Sequence, residues 1–138
     1  MDNNVKPSTI MLIAGGAVLF ISTLLEWRSF GDGFNGWDTD RWGILGILVA
    51  LIGLDIAITS ALRQFTDVNL PDEILSFNAN QLHLALGFTA FVALFGQIGA
   101  RDLGIGVHLG WISAVVIAVA AIMDMREADA GGEAPTQF

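Results

Sequence analysis

The sequence predicts an all-α integral membrane protein, an antiparallel bundle of four transmembrane helices. Three observations carry that reading. Residues 8–26, 42–62, 81–99 and 103–123 form apolar stretches, each close to the ~20 residues that carry a helix across the ~30 Å hydrocarbon core of a bilayer. The charged residues, only 14% of 138, lie almost entirely between those stretches while 54% of the chain is hydrophobic, where a soluble domain has about 25% charge. The last two stretches are separated only by Ala100, Arg101 and Asp102, which forces them into a tight antiparallel hairpin.

The first span follows a polar segment that ends at Pro7, with Ser8 or Thr9 as its expected N-cap. It is read as retained, because no small-x-small cleavage site precedes the acidic boundary at Glu26 and Trp27. The loop WRSFGDGFNGWDTDR then carries Asn35-Gly36, a strong turn signal, and is expected to be irregular and to lie at the membrane interface. The second span begins at Trp42 and ends near Arg63. In the next loop Pro71 is followed by Asp72 and Glu73, which predicts a short interfacial helix over 72–77 leading into the third span. After the fourth span, residues 126–138 read READAGGEAPTQF, an acidic, small-residue tail expected to be disordered. Residues 1–125 thus form one domain.

An even number of spans places both termini on one side of the membrane. Arginine and lysine divide equally between the two sides, and Lys6 ahead of the first span tips the N-terminus to the cytoplasm of a plasma (inner) membrane. Trp27, Trp37, Trp42 and Trp111 all fall on the opposite side, where indole favours the headgroup region. The net charge of −8 argues against nucleic acid as a partner, since phosphate backbones select basic surfaces. The absence of cysteine excludes disulfides, thiolate metal sites and thiol redox chemistry.

Asp55 is the one charge inside a span, near the bilayer midplane, and Thr59 stands one turn further on. A carboxylate at that depth costs about 2.5–3.5 kcal/mol on insertion scales. It belongs either to a hydrogen-bonded helix contact, with Thr59 as its nearest donor, or to a proton or ion path. His83 opens the third span and His108 the fourth, from opposite faces, so they are read as two interfacial histidines rather than as ligands of one metal or haem. Asp32, Asn35, Asp38 and Asp40 lack the spacing of a calcium loop and are read as solvated. Phe88, Phe91 and Phe95 form a packing stripe. No catalytic pair, phosphate loop or metal motif appears, so neither an enzyme activity nor a cofactor is expected.

Two stripes of small residues are the strongest structural signal. Gly46, Ala50, Gly53 and Ala57 line the second span, and Gly106, Gly110, Ala114 and Ala118 line the fourth. Small side chains let membrane helices approach closely and gain van der Waals contact. At 100° per residue the first stripe occupies about 60° of arc, and Asp55 lies nearly opposite it. The stripe and Asp55 cannot share one buried face, so the exposed one of the two is expected to dock another chain.

The stretches AGGAVLFISTLLEW, GFNGWD and GIGVHLGWISAVVIAVAA give the chain a resemblance to small, uncharacterised four-span membrane proteins of actinobacteria. That resemblance implies a Trp-bearing loop outside the cell, and it implies no catalytic residues. The expected role is a small non-enzymatic membrane protein, an accessory or self-associating subunit with lipids and a membrane-protein partner or second copy as its contacts. The alternative is a proton- or ion-coupled transport element centred on Asp55.

Overall fold

A computed structural model describes residues 5–29, 33–42, 44–71 and 73–132. The chain is mostly helical, at 72%. Its helices are α1 (Pro7–Leu24), α2 (Thr39–Trp42), α3 (Leu45–Phe65), α4 (Ala79–Phe95) and α5 (Ile105–Gly132). Two short antiparallel hairpins join them, β1 (Glu26–Arg28) with β2 (Phe34–Asn35) and β3 (Glu73–Ile74) with β4 (Phe77–Asn78). Helices α1, α3 and α5 are long and apolar enough to cross a membrane, whereas α4 is apolar but has 17 residues. At 1.5 Å per residue α4 is about 25 Å long. Large apolar side chains such as Leu51, Ile58, Phe88, Val92, Ile112 and Val119 point outward from the helices, as they do where hydrocarbon replaces water as the solvent.

Helix α1 is the centre of the fold. It packs along α3 on one side and along α5 on the other, α4 leans on α5, and α3 meets α4 only lightly. Two adjacent glycines make this possible. On Gly16 an added Cβ would stand 2.6 Å from the carbonyl oxygen of Gly53 and 2.7 Å from the nitrogen of Ala57. On Gly15 it would stand 2.9 Å from Ile117 of α5. Neighbouring positions on a helix point about 100° apart, so the pair opens α1 to both partners at one level. Gly53 reciprocates, with Gly16 O at 2.7 Å and Phe20 N at 2.8 Å from its missing Cβ.

Lys6 Nζ lies 3.8 Å from Asp124 and 3.9 Å from Glu127, and Ser8 Oγ donates to Asp124. The start of α1 and the last third of α5 therefore share one end of the molecule. At the other end the hairpin β1–β2 is clamped to the α4–α5 turn: Ser29 N donates to Asp102 O and Gly104 N to Trp27 O, both at 2.9 Å. Gly36 N closes the loop onto Thr23 O at 2.9 Å.

Several boundaries differ from the sequence expectation. Pro7 sits at the first helical position with Lys6 as cap, so neither Ser8 nor Thr9 caps α1; proline has no N–H to lose there and its φ is preset. The expected third span starts two residues earlier than 81, at Ala79. Asn78 Oδ1 accepts from Gln81 N and Gln81 Oε1 accepts from Asn78 N, a capping box. It also stops at Phe95, not 99, because Gly96 caps it and Gly99 turns the chain at φ +105°. The expected helix over 72–77 is replaced by the β3–β4 hairpin, whose two turn residues Leu75 and Ser76 take φ +52° and +70°. Two consecutive left-handed residues match the twist of the flanking strands. Finally, α5 continues past Met125 to Gly132, so residues 126–132, expected to be disordered tail, are helical. Asp32, Asp72 and residues 133–138 lie outside the described residues.

Candidate functional site in the seam between the second and third long helices

Asp55 is the middle residue of the 21-residue α3. Its side chain is exposed, on the outer face with Leu48, Leu51, Leu54 and Ile58. The small-residue stripe occupies the opposite, inner face. Gly46 abuts the backbone of Gly36, Ala50 and Gly53 are buried, and Ala57 touches Gly16. The second stripe is also used inside the chain. Gly106 faces Ser22 O at 2.6 Å and Trp27 at 2.8 Å, Gly110 faces Leu94 at 2.7 Å, Ala114 is fully buried and Ala118 is half-buried. Of the two arrangements the sequence left open, the structure has the one with the stripe inward and the carboxylate outward.

Thr59 is not the partner of the Asp55 carboxylate that the spacing suggested. Its hydroxyl donates to the Asp55 backbone carbonyl at 2.7 Å, the bond a helical threonine makes to its own preceding turn. The same oxygen lies 3.2 Å from His83 Nε2 on α4. Thr59 has one proton, and it is spent on the carbonyl. The histidine must then donate, which places its proton on Nε2 and leaves a lone pair on Nδ1. His83 is only 5% exposed and lies one turn inside α4. Among the described residues its Nδ1 and the buried Ser60 Oγ have no hydrogen-bond partner. His108, by contrast, is exposed and stands 3.5 Å from Trp111 Nε1.

His83 separates two cavities. The first, about 140 Å³, runs along the α3–α4 seam under the β3–β4 hairpin. Its walls are mostly apolar, from Leu70, Pro71, Ile74, Phe77 and Leu82, and its polar lining is Asp55, Thr59, Arg63 and His83. Arg63 ties the loop in place by donating to Pro71 O at 2.8 Å. The second, about 150 Å³, lies at the end of the molecule shared by Lys6 and Asp124. It is lined by Ser60, Arg63, Gln64, Asn80, His83 and Asp124 among others. His83 thus adjoins both the seam that holds Asp55 and Thr59 and the second cavity, which Ser60 lines.

A larger, open cleft of about 600 Å³ occupies the opposite end, with Arg28, Arg41 and Arg101 beside Asp40 and Asp102. Two of its three arginines are engaged locally. Arg28 Nη1 donates to Arg101 O and its guanidinium lies 5.4 Å from the Trp42 ring; Arg41 stacks 3.9 Å over Phe34 and lies 4.0 Å from Asp38. Asn35 Oδ1 accepts from Trp37 N, which uses that loop oxygen in a turn. The tryptophans do gather at this end, but they serve different purposes from lipid anchoring alone. Trp27 is fully buried, 5.4 Å from Trp42, and donates to Ser22 O at 3.0 Å. Trp37 donates to Thr23 Oγ1, Trp42 to Asn35 O, and Trp111 meets Phe95 edge-on at 6.0 Å. Phe95 also stacks on Phe91, while Phe88 points outward.

Comparison with known proteins finds no matching family model, no matching curated protein and no matching solved structure.

Proposed function

We propose that this chain is a small non-enzymatic membrane protein, a four-helix transmembrane bundle that acts as an accessory subunit to another membrane protein. The observation that supports it most is Asp55: a carboxylate at the middle of a span, on the outer face, with the packing glycines of that helix already consumed inside the chain. Exposed to lipid such a group costs several kcal/mol, and in membrane proteins it faces protein or water. A second copy would set carboxylate against carboxylate, a repulsive pairing. The partner is therefore a different membrane chain that presents a lysine, arginine or hydroxyl to the α3 face. Asp55→Leu is expected to leave the fold intact and weaken that association by about 0.6–2 kcal/mol, read as loss of the crosslinked heterocomplex in native membranes. A wild-type chain that crosslinks only to itself, or to nothing, overturns the accessory role.

The same reading places both termini in the cytoplasm. The chain has no cysteine, so single cysteines are clean probes. Asn69→Cys, in the exposed loop between α3 and α4, should react with an impermeant thiol reagent only from the cytoplasmic side, and Thr39→Cys only from outside. The reverse pattern overturns the orientation and leaves the spans untouched.

The second reading, a proton-coupled element, is favoured by one observation: His83 reaches Thr59, and Thr59 reaches the turn that carries Asp55.

A further inference from the structure

We infer that the cleft at the tryptophan end is a binding site for a phospholipid headgroup that joins a phosphate to a primary amine. The inference rests on the long helices as membrane spans and is independent of the accessory role.

The depth of the cleft follows from the chain. Its charged walls are Arg28, Asp40, Arg41, Arg101 and Asp102. Each of them lies within five positions of the end of a long helix, at Leu24, Leu45 or Ile105. That is the level of the headgroups, a layer of about 5–7 Å on each side of the hydrocarbon core. Ile44 and Ile105, the residues where α3 and α5 begin, are 76% and 62% exposed. They offer apolar surface to acyl chains just below a bound headgroup.

The arginines are arranged for a phosphate. Ser29 N donates to Asp102 O and Gly104 N to Trp27 O. These bonds bracket Arg28 and fix its strand against the turn that carries Arg101. Arg28 spends one N–H, through Nη1, on Arg101 O, and its guanidinium is held over the Trp42 ring. Arg41 is held over Phe34 in the same way. A guanidinium supported by an aromatic ring keeps N–H donors for a ligand, and its planar fork matches two phosphate oxygens. The Arg101 side chain is exposed and has no partner among the described residues.

The carboxylates select the other half of the headgroup. Asp40 and Asp102 line the same cleft, and neither side chain has a partner among the described residues. They repel a second anionic group and accept from a primary ammonium, which has three N–H donors. A trimethylammonium has none. The mixed lining therefore fits one phosphate beside one ammonium.

The test titrates the full chain in detergent micelles with short-chain phospholipids and counts bound lipid by native mass spectrometry. Phosphatidylethanolamine should bind one per chain, about tenfold more tightly than phosphatidylcholine. Arg101→Gln should weaken that binding about tenfold with the lipid-free unfolding midpoint unchanged. Arg101→Lys, which keeps the charge but loses the fork, should fall between. Asp40→Asn with Asp102→Asn should erase the preference for the amine; asparagine tolerates the φ of +58° at 102. Glycerophosphoethanolamine, the same headgroup without acyl chains, should bind at least about tenfold more weakly. Equal binding of the two lipids, phosphatidylglycerol bound as tightly as the amine lipid, or Arg101→Gln without effect each overturns the site. A free headgroup that binds as well as the lipid overturns the lipid as its source. These substitutions leave the α3 face around Asp55 untouched, so the crosslinked heterocomplex reports on the accessory role separately.

Discussion

Replacing Trp27 by alanine is expected to destabilise the chain by about 3–5 kcal/mol, the range for emptying a fully buried aromatic site. Trp27 is 0% exposed and its indole occupies a slot that glycine makes possible. An added Cβ on Gly36 would stand 2.8 Å from Cε2 and Cζ2 of the ring, and one on Gly106 2.8 Å from Cδ1. Trp42 covers the ring at 5.4 Å, and Nε1 donates to Ser22 O. The residue therefore joins α1, the β1–β2 loop and α5 at one point, and collapse onto the void is obstructed by three backbones. Trp27→Phe keeps most of the volume and loses the donor, so it should cost about 1–3 kcal/mol, the range for a buried acceptor left unpaired. Trp37→Ala is the contrast. Trp37 is 41% exposed and should lose only its bond to Thr23, about 0.5–1.5 kcal/mol. Unfolding in mixed micelles followed by circular dichroism separates the three. If Trp27→Ala and Trp37→Ala lose equal stability, Trp27 is an interfacial anchor after all.

The reading of these tryptophans marks where sequence reasoning stops. Their common end of the molecule was legible, because it follows from counting spans. Their burial was not, because it depends on Gly36 and Gly106, which are 70 residues apart and meet only once the chain has folded. Asp55 was legible as a mid-span carboxylate from helix length alone, and its position opposite the glycine stripe from helical periodicity. Which of the two faces inward was decided by Gly16 on another helix, which meets Gly53 and Ala57. His83 was misplaced for a local reason. With the third span begun at Gln81, His83 falls at the edge; with Asn78 and Gln81 as a capping box, it falls one turn inside. That signal was present in the sequence as Asn-x-x-Gln ahead of an apolar run. The β3–β4 turn had no comparable signal, since Leu75-Ser76 offers neither glycine nor asparagine at its two left-handed positions.

Gly16→Leu should be the most disruptive substitution within α1, and its pattern tests the packing of that helix. The missing Cβ of Gly16 is opposed by main-chain atoms, Gly53 O at 2.6 Å and Ala57 N at 2.7 Å. Backbone cannot rotate away, so α1 and α3 must separate and forfeit their dispersion contacts. For membrane helices those contacts are a principal source of association, since lipid is as apolar as the side chains. Overpacking of this kind costs about 1–3 kcal/mol and sometimes more. Gly15 is opposed by a side-chain atom, Ile117 Cγ1, at 2.9 Å, and its nearest main-chain atom, Ser113 O, is at 3.5 Å. The expected order of damage is therefore Gly16→Leu, then Gly16→Ala, then Gly15→Ala. Ala14→Leu, on the exposed face, should be close to neutral. Equal tolerance at positions 14 and 16 contradicts the α1–α3 crossing. The same geometry decides how the face beside it is to be probed. Gly46→Ile combined with Gly53→Ile strikes the inner face, so a lost complex in that variant reports a broken fold. Asp55→Leu strikes the outer face of the same helix and leaves Gly16, Gly53 and Ala57 in register. A complex lost in Asp55→Leu, with unfolding midpoint unchanged, can only be a lost partner.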